Sequence, residues 1–525
     1  MKLIMLNKEN ILDIERKRIY IYEKNESYFR ELYQKYPCIF ENIVGIIDTS
    51  LRNLGQYRFG QYSWDVTDMN CLNDFNSDTD VILICSDYFD ESYNYIKDKI
   101  CEVNEIDHLQ NFKIYFFSNH ETDIDLSYRQ YYASYSLDNI ILFRSGPHAT
   151  SYINGMDFSD NARALFEYML SNHYNDEYEL VWLVKNPDDF TQPAGKYYRY
   201  TRDYRNVSFI GYDWTDSEDM DRRDEYYRVL CLAKYIFFTD AYGFARNSRK
   251  DQVRVQLWHG CGFKTRVNFV RCEKRYEYTT VISDLYSDIH REIYGLNENQ
   301  MLVTGYAKQD WLFDKSDDYM TRLKLPAANK YVFWLPTFRM AKSGLENLNE
   351  YEYQNQTGLP IVNTLERCRE LNLYLKERNI VLLVKLHPFQ DKTKIMNFEL
   401  SNMVMIDNDT LFDSDIQINQ LLGCADALIS DYSSAAVDYM LLDRPIAFTL
   451  DDVEEYRDSR GFVFDNILEW LPGDELYNFE DFCGFIDRVY RGEDDKAEKR
   501  RRLTGIMHKF HDNESCRRIV EALKI

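Results

Sequence analysis

ADALISDYSSAAVDYMLLDRPIAFTL, residues 425–450, sets a short apolar run, DALIS (426–430), before Asp431-Tyr432-Ser433-Ser434, two alanines and a second apolar run, IAFTL. A brief continuous apolar run bounded by turn residues reads as a strand buried on both faces. The Ser-Ser-Ala-Ala step reads as the start of a helix. The same pattern recurs along the chain. RIYIY (18–22), NIVGIID (42–48), TDVILIC (79–85), FKIYFF (112–117) and NIILF (139–143) come first. YELVWLV (178–184), YIFFTD (235–240), VRVQLWHG (253–260), NQMLVTG (299–305), YVFWLPT (331–337) and IVLLVKLHP (380–388) follow, with longer stretches of helical period between them. Continuous apolar strands alternating with helices indicate parallel sheets covered on both faces. The fold class is therefore α/β.

The chain has 525 residues, 45% of them hydrophobic and 29% charged. At roughly 150 residues per domain that length suggests about three domains. Gly (20) and Pro (10) are scarce beside Tyr (43) and Phe (31), which describes a compact chain rich in regular elements. A net charge of −24 excludes general affinity for nucleic acid or anionic lipid, and requires any anionic substrate to find a locally positive pocket. Eleven cysteines include no C-x-x-C pair and no zinc spacing. Scattered among apolar residues, they read as small core side chains in a reducing cytoplasm. The N-terminus lacks the pattern of a signal peptide, and no window of 18 uncharged apolar residues exists to span a membrane. Peripheral attachment stays open.

Four blocks are expected. Residues 1–134 carry four strand signals but no glycine-rich loop after the first, which favours a Rossmann-like unit used for packing or partner contact over a ligand-binding one. Residues 138–315 and 325–490 form two further units, and 491–525 a charged helical tail. Its KRRR run, preceded by acidic residues, reads as a solvated face rather than a lipid anchor.

Ligands of open α/β sheets bind beyond the carboxyl ends of strands. The polar residues and glycines that follow strand runs are few: His259 and Gly260; Thr304 and Gly305; Thr337 and Arg339; His387; Asp431, Ser433 and Ser434. A helix start offers unpaired N–H donors and a partial positive charge, and two serines add hydroxyls there. Arg339 can grip a phosphate bidentately and His387 can donate to a phosphate oxygen. Together they outline a diphosphate pocket, although Asp and Ser in DYSS also suit a plain cap. His259, beside a glycine that leaves room for substrate, has the chemistry of a base near neutrality. Asp438, one turn beyond Ser434, is a candidate for the donor's ribose or glycerol, or equally for a capping or core-edge role.

These residues resemble a known family. QLWHG, TGYAKQDWLF, WLPTFR, VKLHP, DIQINQLLGCADALISDYSSAAVDYMLLDRPIAF and RGFVFD are similar, in order, to segments of the CDP-glycerol glycerophosphotransferases of teichoic-acid and capsule synthesis. Ser159-Asp160-Asn161 matches that family's S-D-N. The resemblance covers roughly residues 138–520. It implies a GT-B-like architecture, two Rossmann-like domains facing across a cleft with the C-terminal helix returning to the first. Residues 1–134 would be an extra Rossmann-like domain. It further implies a CDP-glycerol donor on the second domain, its diphosphate held by Arg339, His387, Ser433 and Ser434. His259 would be the general base, CMP the leaving group, and the acceptor a glycan or polyol phosphate that is lipid-linked in some settings. Thr337, Asp431, Gly260 and Gly305 line the same motifs. The resemblance requires no metal ligand and no cofactor, and leaves a divalent cation open.

Two segments depart from the family. Relatives continue WHG with T-P-L-K, where this chain has Cys261-Gly262-Phe263-Lys264; G-x-P-R-x-D is Gly305-Tyr306-Ala307-Lys308-Gln309-Asp310 here. Both lie on the acceptor side. The alternatives are therefore a CDP-ribitol or nucleotide-sugar donor on the same fold, or an inactive scaffold subunit of a polysaccharide-synthesis complex.

Overall fold

The computed structural model describes residues 2–23, 25–48, 54–76, 78–86, 89–103, 113–146, 156–239, 249–264, 276–314, 316, 318–336, 355–385, 400–459 and 461–525. Their strands form three sheets. The first runs in the order Lys2–Met5, Lys113–Phe116, Asp80–Ile84, Arg18–Tyr22, Ile43–Ile47, Tyr62–Thr67, Gly55–Phe59. Neighbours are parallel except for the last pair, an antiparallel hairpin. The sequence reading recognises only four of these strands; the apolar patch at the N-terminus is the edge strand, and the hairpin is new. This unit leans on the next through helix His120–Tyr132, where Tyr128 stacks on Tyr227 of helix Met220–Leu232 at 4.4 Å.

The second and third sheets are fully parallel. The second is ordered Val207–Gly211, Glu179–Val184, Asp138–Arg144, Ala233–Phe238, Val253–Gln256, Tyr278–Val281, Met301–Val303. The third is ordered Met403–Ile406, Ile380–Lys385, Lys330–Leu335, Ala427–Ser430, Ile446–Thr449, Asp474–Leu476. Numbered along their own segments, both follow the doubly wound order 3-2-1-4-5-6, the second sheet adding a seventh strand. Residues such as Ile141, Trp182, Leu382 and Ile429 have no exposed surface, as expected of strands with helices on both faces.

The two doubly wound units share one apolar core that runs from Leu142 and Phe238 to Phe333 and Phe448. Helix Ile418–Cys424 lies so close to the turn Ala307–Phe313 that a Cβ on Gly423 would sit 2.5 Å from the carbonyl oxygen of Leu312. The final helix, Ser515–Leu523, returns to the second sheet's unit and buries Cys516, Ile519 and Val520 there. Asp310 caps it, accepting from the backbone N–H groups of Ser515 (2.8 Å) and Cys516 (2.9 Å).

The KRRR run is not a solvated face throughout. Arg500 has no exposed surface and binds Asp443 through Nε (3.0 Å) and Nη2 (2.9 Å), and Asp494 through Nη2 (2.6 Å). The long helix Ala497–Met507 turns this arginine inward while its neighbour Arg501 stays exposed. Among the described residues no helix is long and apolar enough to cross a membrane.

Candidate functional site

Strand Val253–Gln256 delivers the chain to Leu257-Trp258-His259-Gly260. Trp258 adopts a left-handed backbone (φ 57°), unusual for a bulky residue, and several bonds impose it. Its N–H donates to Gln256 Oε1 at 3.0 Å, and its carbonyl oxygen accepts from Asn161 Nδ2 at 2.8 Å. Thr280 Oγ1 donates to the Leu257 carbonyl at 2.9 Å. The indole is buried edge-on to Tyr294 and stacks on the His259 ring. The His259 side chain is left one-third exposed, at 33%.

The turn then meets the second doubly wound unit. Gly260 has φ 149°, and a Cβ there would lie 2.8 Å from Ser434 Oγ. Beyond it, the Phe263 carbonyl accepts from Val463 N–H at 2.9 Å, and Lys264 bridges to Phe462. The segment that departs from the family pattern thus crosses onto RGFVFD. Cys261, buried within it, sets its Sγ 3.0 Å from Tyr306 Oη and 3.5 Å from His290 Nε2.

Ser433 caps the helix Ser434–Tyr439, its Oγ accepting from Ala435 N–H at 3.3 Å. This turn follows strand Ala427–Ser430, whose neighbour Lys330–Leu335 precedes Thr337 and Arg339 in the chain. Between those two strands the winding of the third sheet reverses, the position at which such sheets take their ligands. Ser433 and Ser434 are partly exposed there. Thr337, Arg339 and His387 lie outside the described residues.

Three expected site residues lie buried. Asp431 has no exposed surface; the strand end turns its side chain into the interior. Asp438 is buried on the inner face of its helix and accepts from Gln309 Nε2 at 2.7 Å, as a core-edge role would have it. Gly305 (φ 83°) serves the C-terminal helix: a Cβ there would stand 2.4 Å from Ser515 Oγ.

Behind His259 lies a buried charge cluster that strand-end reasoning does not find. Lys308 Nζ stands 3.0 Å from Asp160 Oδ1 and 4.0 Å from Asp438 Oδ2, and it donates to the His259 carbonyl oxygen. Asp160 Oδ2 is 4.0 Å from His259 Nδ1. Burial pushes the Asp160 and Asp438 carboxyls above their ordinary values, and the Lys308 ammonium, which pulls both down, offsets only part of that. Burial opposes the charge on Lys308, yet Asp160 and Asp438 outweigh it and hold the ammonium above its usual value. The signal available in sequence was the S-D-N match, without any hint of its partners. Among the described residues no group of three or more His, Cys, Asp or Glu side chains is placed to hold a metal ion.

Two doubly wound parallel units in contact, with a C-terminal helix closing back on the first, define a GT-B-like protein. The chain belongs to the CDP-glycerol:poly(glycerophosphate) glycerophosphotransferase family, whose sequence model matches residues 135–524. It is 22% identical over 469 residues to a teichoic acid poly(glycerol phosphate) polymerase of Staphylococcus epidermidis, covering 78% of this chain and 59% of that protein. It is 27% identical over 317 residues to the teichoic acid ribitol-phosphate polymerase TarL of Staphylococcus aureus, covering 56% and 52%. The chain therefore spans little more than half the length of these curated relatives. In structure it is similar to the wall teichoic acid polymerase TagF, with a TM-score of 0.56 and 21% identity over 77% of this chain and 92% of that one, which shows a shared fold.

Proposed function

We propose that this protein transfers glycerol phosphate from CDP-glycerol to a hydroxyl of a glycan or polyol-phosphate acceptor in cell-surface polymer synthesis. The observation that carries the reading is the contact of Gly260 with Ser434, which brings the turn bearing a half-open histidine against the switch point of the donor-side sheet. In this reading His259 takes the proton of the acceptor hydroxyl as its oxygen attacks the β-phosphorus. The bond from that phosphorus to the bridging oxygen breaks, and CMP leaves with the oxygen. Ser433 and Ser434, with Arg339 and His387 from the neighbouring strand ends, hold the diphosphate. Phosphoryl transfer of this kind depends on positioning and on stabilising charge at oxygen, which such donors supply. The 27% identity to a ribitol-phosphate polymerase favours CDP-ribitol as the second reading. We read the protein as cytoplasmic, where a nucleotide-activated donor is at hand. A lipid-linked acceptor would bring it to the inner membrane face.

CMP release from CDP-glycerol and from CDP-ribitol, each with a glycerol-phosphate-primed acceptor, tests both. The expected result is release with CDP-glycerol that falls at least about a hundredfold in His259→Ala. Release from CDP-ribitol alone would shift the assignment to the second reading. Wild-type turnover in His259→Ala would overturn the mechanism, and no release from either donor would leave the scaffold alternative.

A further inference from the structure

Asp160 opens the helix Asp160–Ser171 with φ 59°, a left-handed backbone rarely held by a non-glycine residue without a reason. Its N–H donates to Gln417 Oε1 of the other doubly wound unit at 3.2 Å. Its two carboxylate oxygens face different partners. Oδ1 is 3.0 Å from Lys308 Nζ, and Oδ2 is 4.0 Å from Nδ1 of His259. Lys308 in turn donates to the His259 main-chain oxygen, so one ammonium fixes both the histidine's backbone and the carboxylate that faces its ring. The Lys308 side chain is 9% exposed and that of Asp438 behind it 3%.

We propose that Asp160 is the positioning residue that orients the His259 imidazole and balances its positive charge during turnover, with Lys308 holding Asp160 in place. The inference rests on His259 being the base of the proposed function. With Nδ1–H turned toward Asp160, Nε2 keeps its lone pair for the acceptor hydroxyl. When the proton arrives at Nε2, the imidazolium faces the largely buried Asp160 carboxylate, an interaction stronger there than in open water. A separation of 4.0 Å is ion-pair distance rather than a hydrogen bond; contacts of this kind commonly tighten when substrate closes the site. Lys308 opposes the burial that pushes the Asp160 carboxyl up, and Asp438 ties that lysine to the second doubly wound unit. Among the described residues Asp160 and Lys308 stand against His259, Asp438 lies behind Lys308, and His290 packs edge-on to Trp258 with Cys261 beside it.

The test uses the full chain with Asp160→Asn, Lys308→Met and Lys308→Arg. Asparagine accepts a left-handed backbone, so Asp160→Asn removes charge with little strain. The first readout needs no substrate: the pH dependence of diethylpyrocarbonate modification of His259, followed by peptide mass spectrometry. Asp160→Asn should move its midpoint down by about one pH unit, since losing a carboxylate disfavours the imidazolium. Lys308→Met should move it as well, and Lys308→Arg should restore wild-type behaviour. The second readout is turnover with CDP-glycerol, expected to fall about a hundredfold or more in Asp160→Asn with KM within about twofold. An unmoved midpoint overturns the proposal, even where activity falls, because a merely structural aspartate gives that result. A shifted midpoint in a chain that releases no CMP supports the Asp160–His259 pairing and rejects the assigned reaction instead.

Discussion

Arg163 and Asp415 face each other across the seam between the two doubly wound units, with Nη2 2.8 Å from Oδ1 and the arginine side chain only 4% exposed. Arg199 closes on the other oxygen at 2.7 Å. Burial pushes the Asp415 carboxyl up, but Arg163 and Arg199 more than offset it and hold the group below its ordinary value. Asp415→Asn leaves Arg163 with Glu167 as its remaining carboxylate partner, so a loss of about 3 kcal/mol at neutral pH is expected. A carboxylate held below its unfolded pKa stabilises fully above that value and loses the contribution as pH falls through the folded one. Wild type and Asp415→Asn should therefore differ most in thermal midpoint near pH 7 and converge below about pH 4. Equal midpoints at pH 7 would show that the seam does not depend on this clasp.

His508 carries a dependence of the same sign at higher pH. It is buried where the C-terminal segment leaves helix Ala497–Met507, and its Nε2 donates to the Val437 carbonyl oxygen at 2.8 Å. Burial pulls the imidazole down to about 4; the Val437 bond opposes that fall and nearby His511 adds to it. The folded chain thus stays neutral at His508 while the unfolded chain takes up a proton below about pH 6.5. Stability contributed here is present above pH 6.5 and declines as pH falls toward 4, by roughly 3 kcal/mol over the whole range. His508→Gln keeps a donor for Val437 but cannot titrate. Its thermal midpoint should vary less between pH 7 and pH 5 than that of wild type. An unchanged pH dependence would mean that His508 opens to solvent before the fold melts.

How much of this was legible in the sequence depended on periodicity and distance. Ile380–Lys385 and Asp80–Ile84 lie in parallel sheets buried on both faces, so their apolar runs are continuous and stand out. Tyr62–Thr67 buries only Trp64 and Val66, alternating with polar residues beside the sheet's edge strand, and Asp474–Leu476 is three residues long; neither gives a recognisable run. His259, Ser433 and Ser434 stand out in the sequence because they follow strand ends, where such sheets take their ligands. The same rule also picks out Asp431, which the fold buries completely. Lys308 was noticed only as a departure from a motif. Its partners lie 49 residues back at His259 and far beyond at Asp160, and no local pattern links residues joined only by the fold. Arg500 was misread for a similar reason, because Asp443 lies 57 residues away.

The contact between Gly260 and Ser434 makes the last prediction. A Cβ at position 260 would stand 2.8 Å from Ser434 Oγ and 2.9 Å from Ser434 Cβ, so trimming the hydroxyl alone gives no relief. Gly262 is more forgiving, its nearest neighbours at 3.3 Å being Ser434 Cα and N. Gly260→Ala should therefore lower the thermal midpoint and reduce turnover about a hundredfold, since displacement by roughly an ångström is enough to misplace a base. Gly262→Ala should do less on both counts. Ser434→Gly removes both clashing atoms, so Gly260→Ala with Ser434→Gly should be more stable than the sum of the single changes by about 1 kcal/mol. The strain of alanine at φ 149° remains in the double variant, and full recovery is not expected. Strict additivity in this cycle would mean that the turn after Trp258 and the Ser433–Ser434 step do not touch in solution.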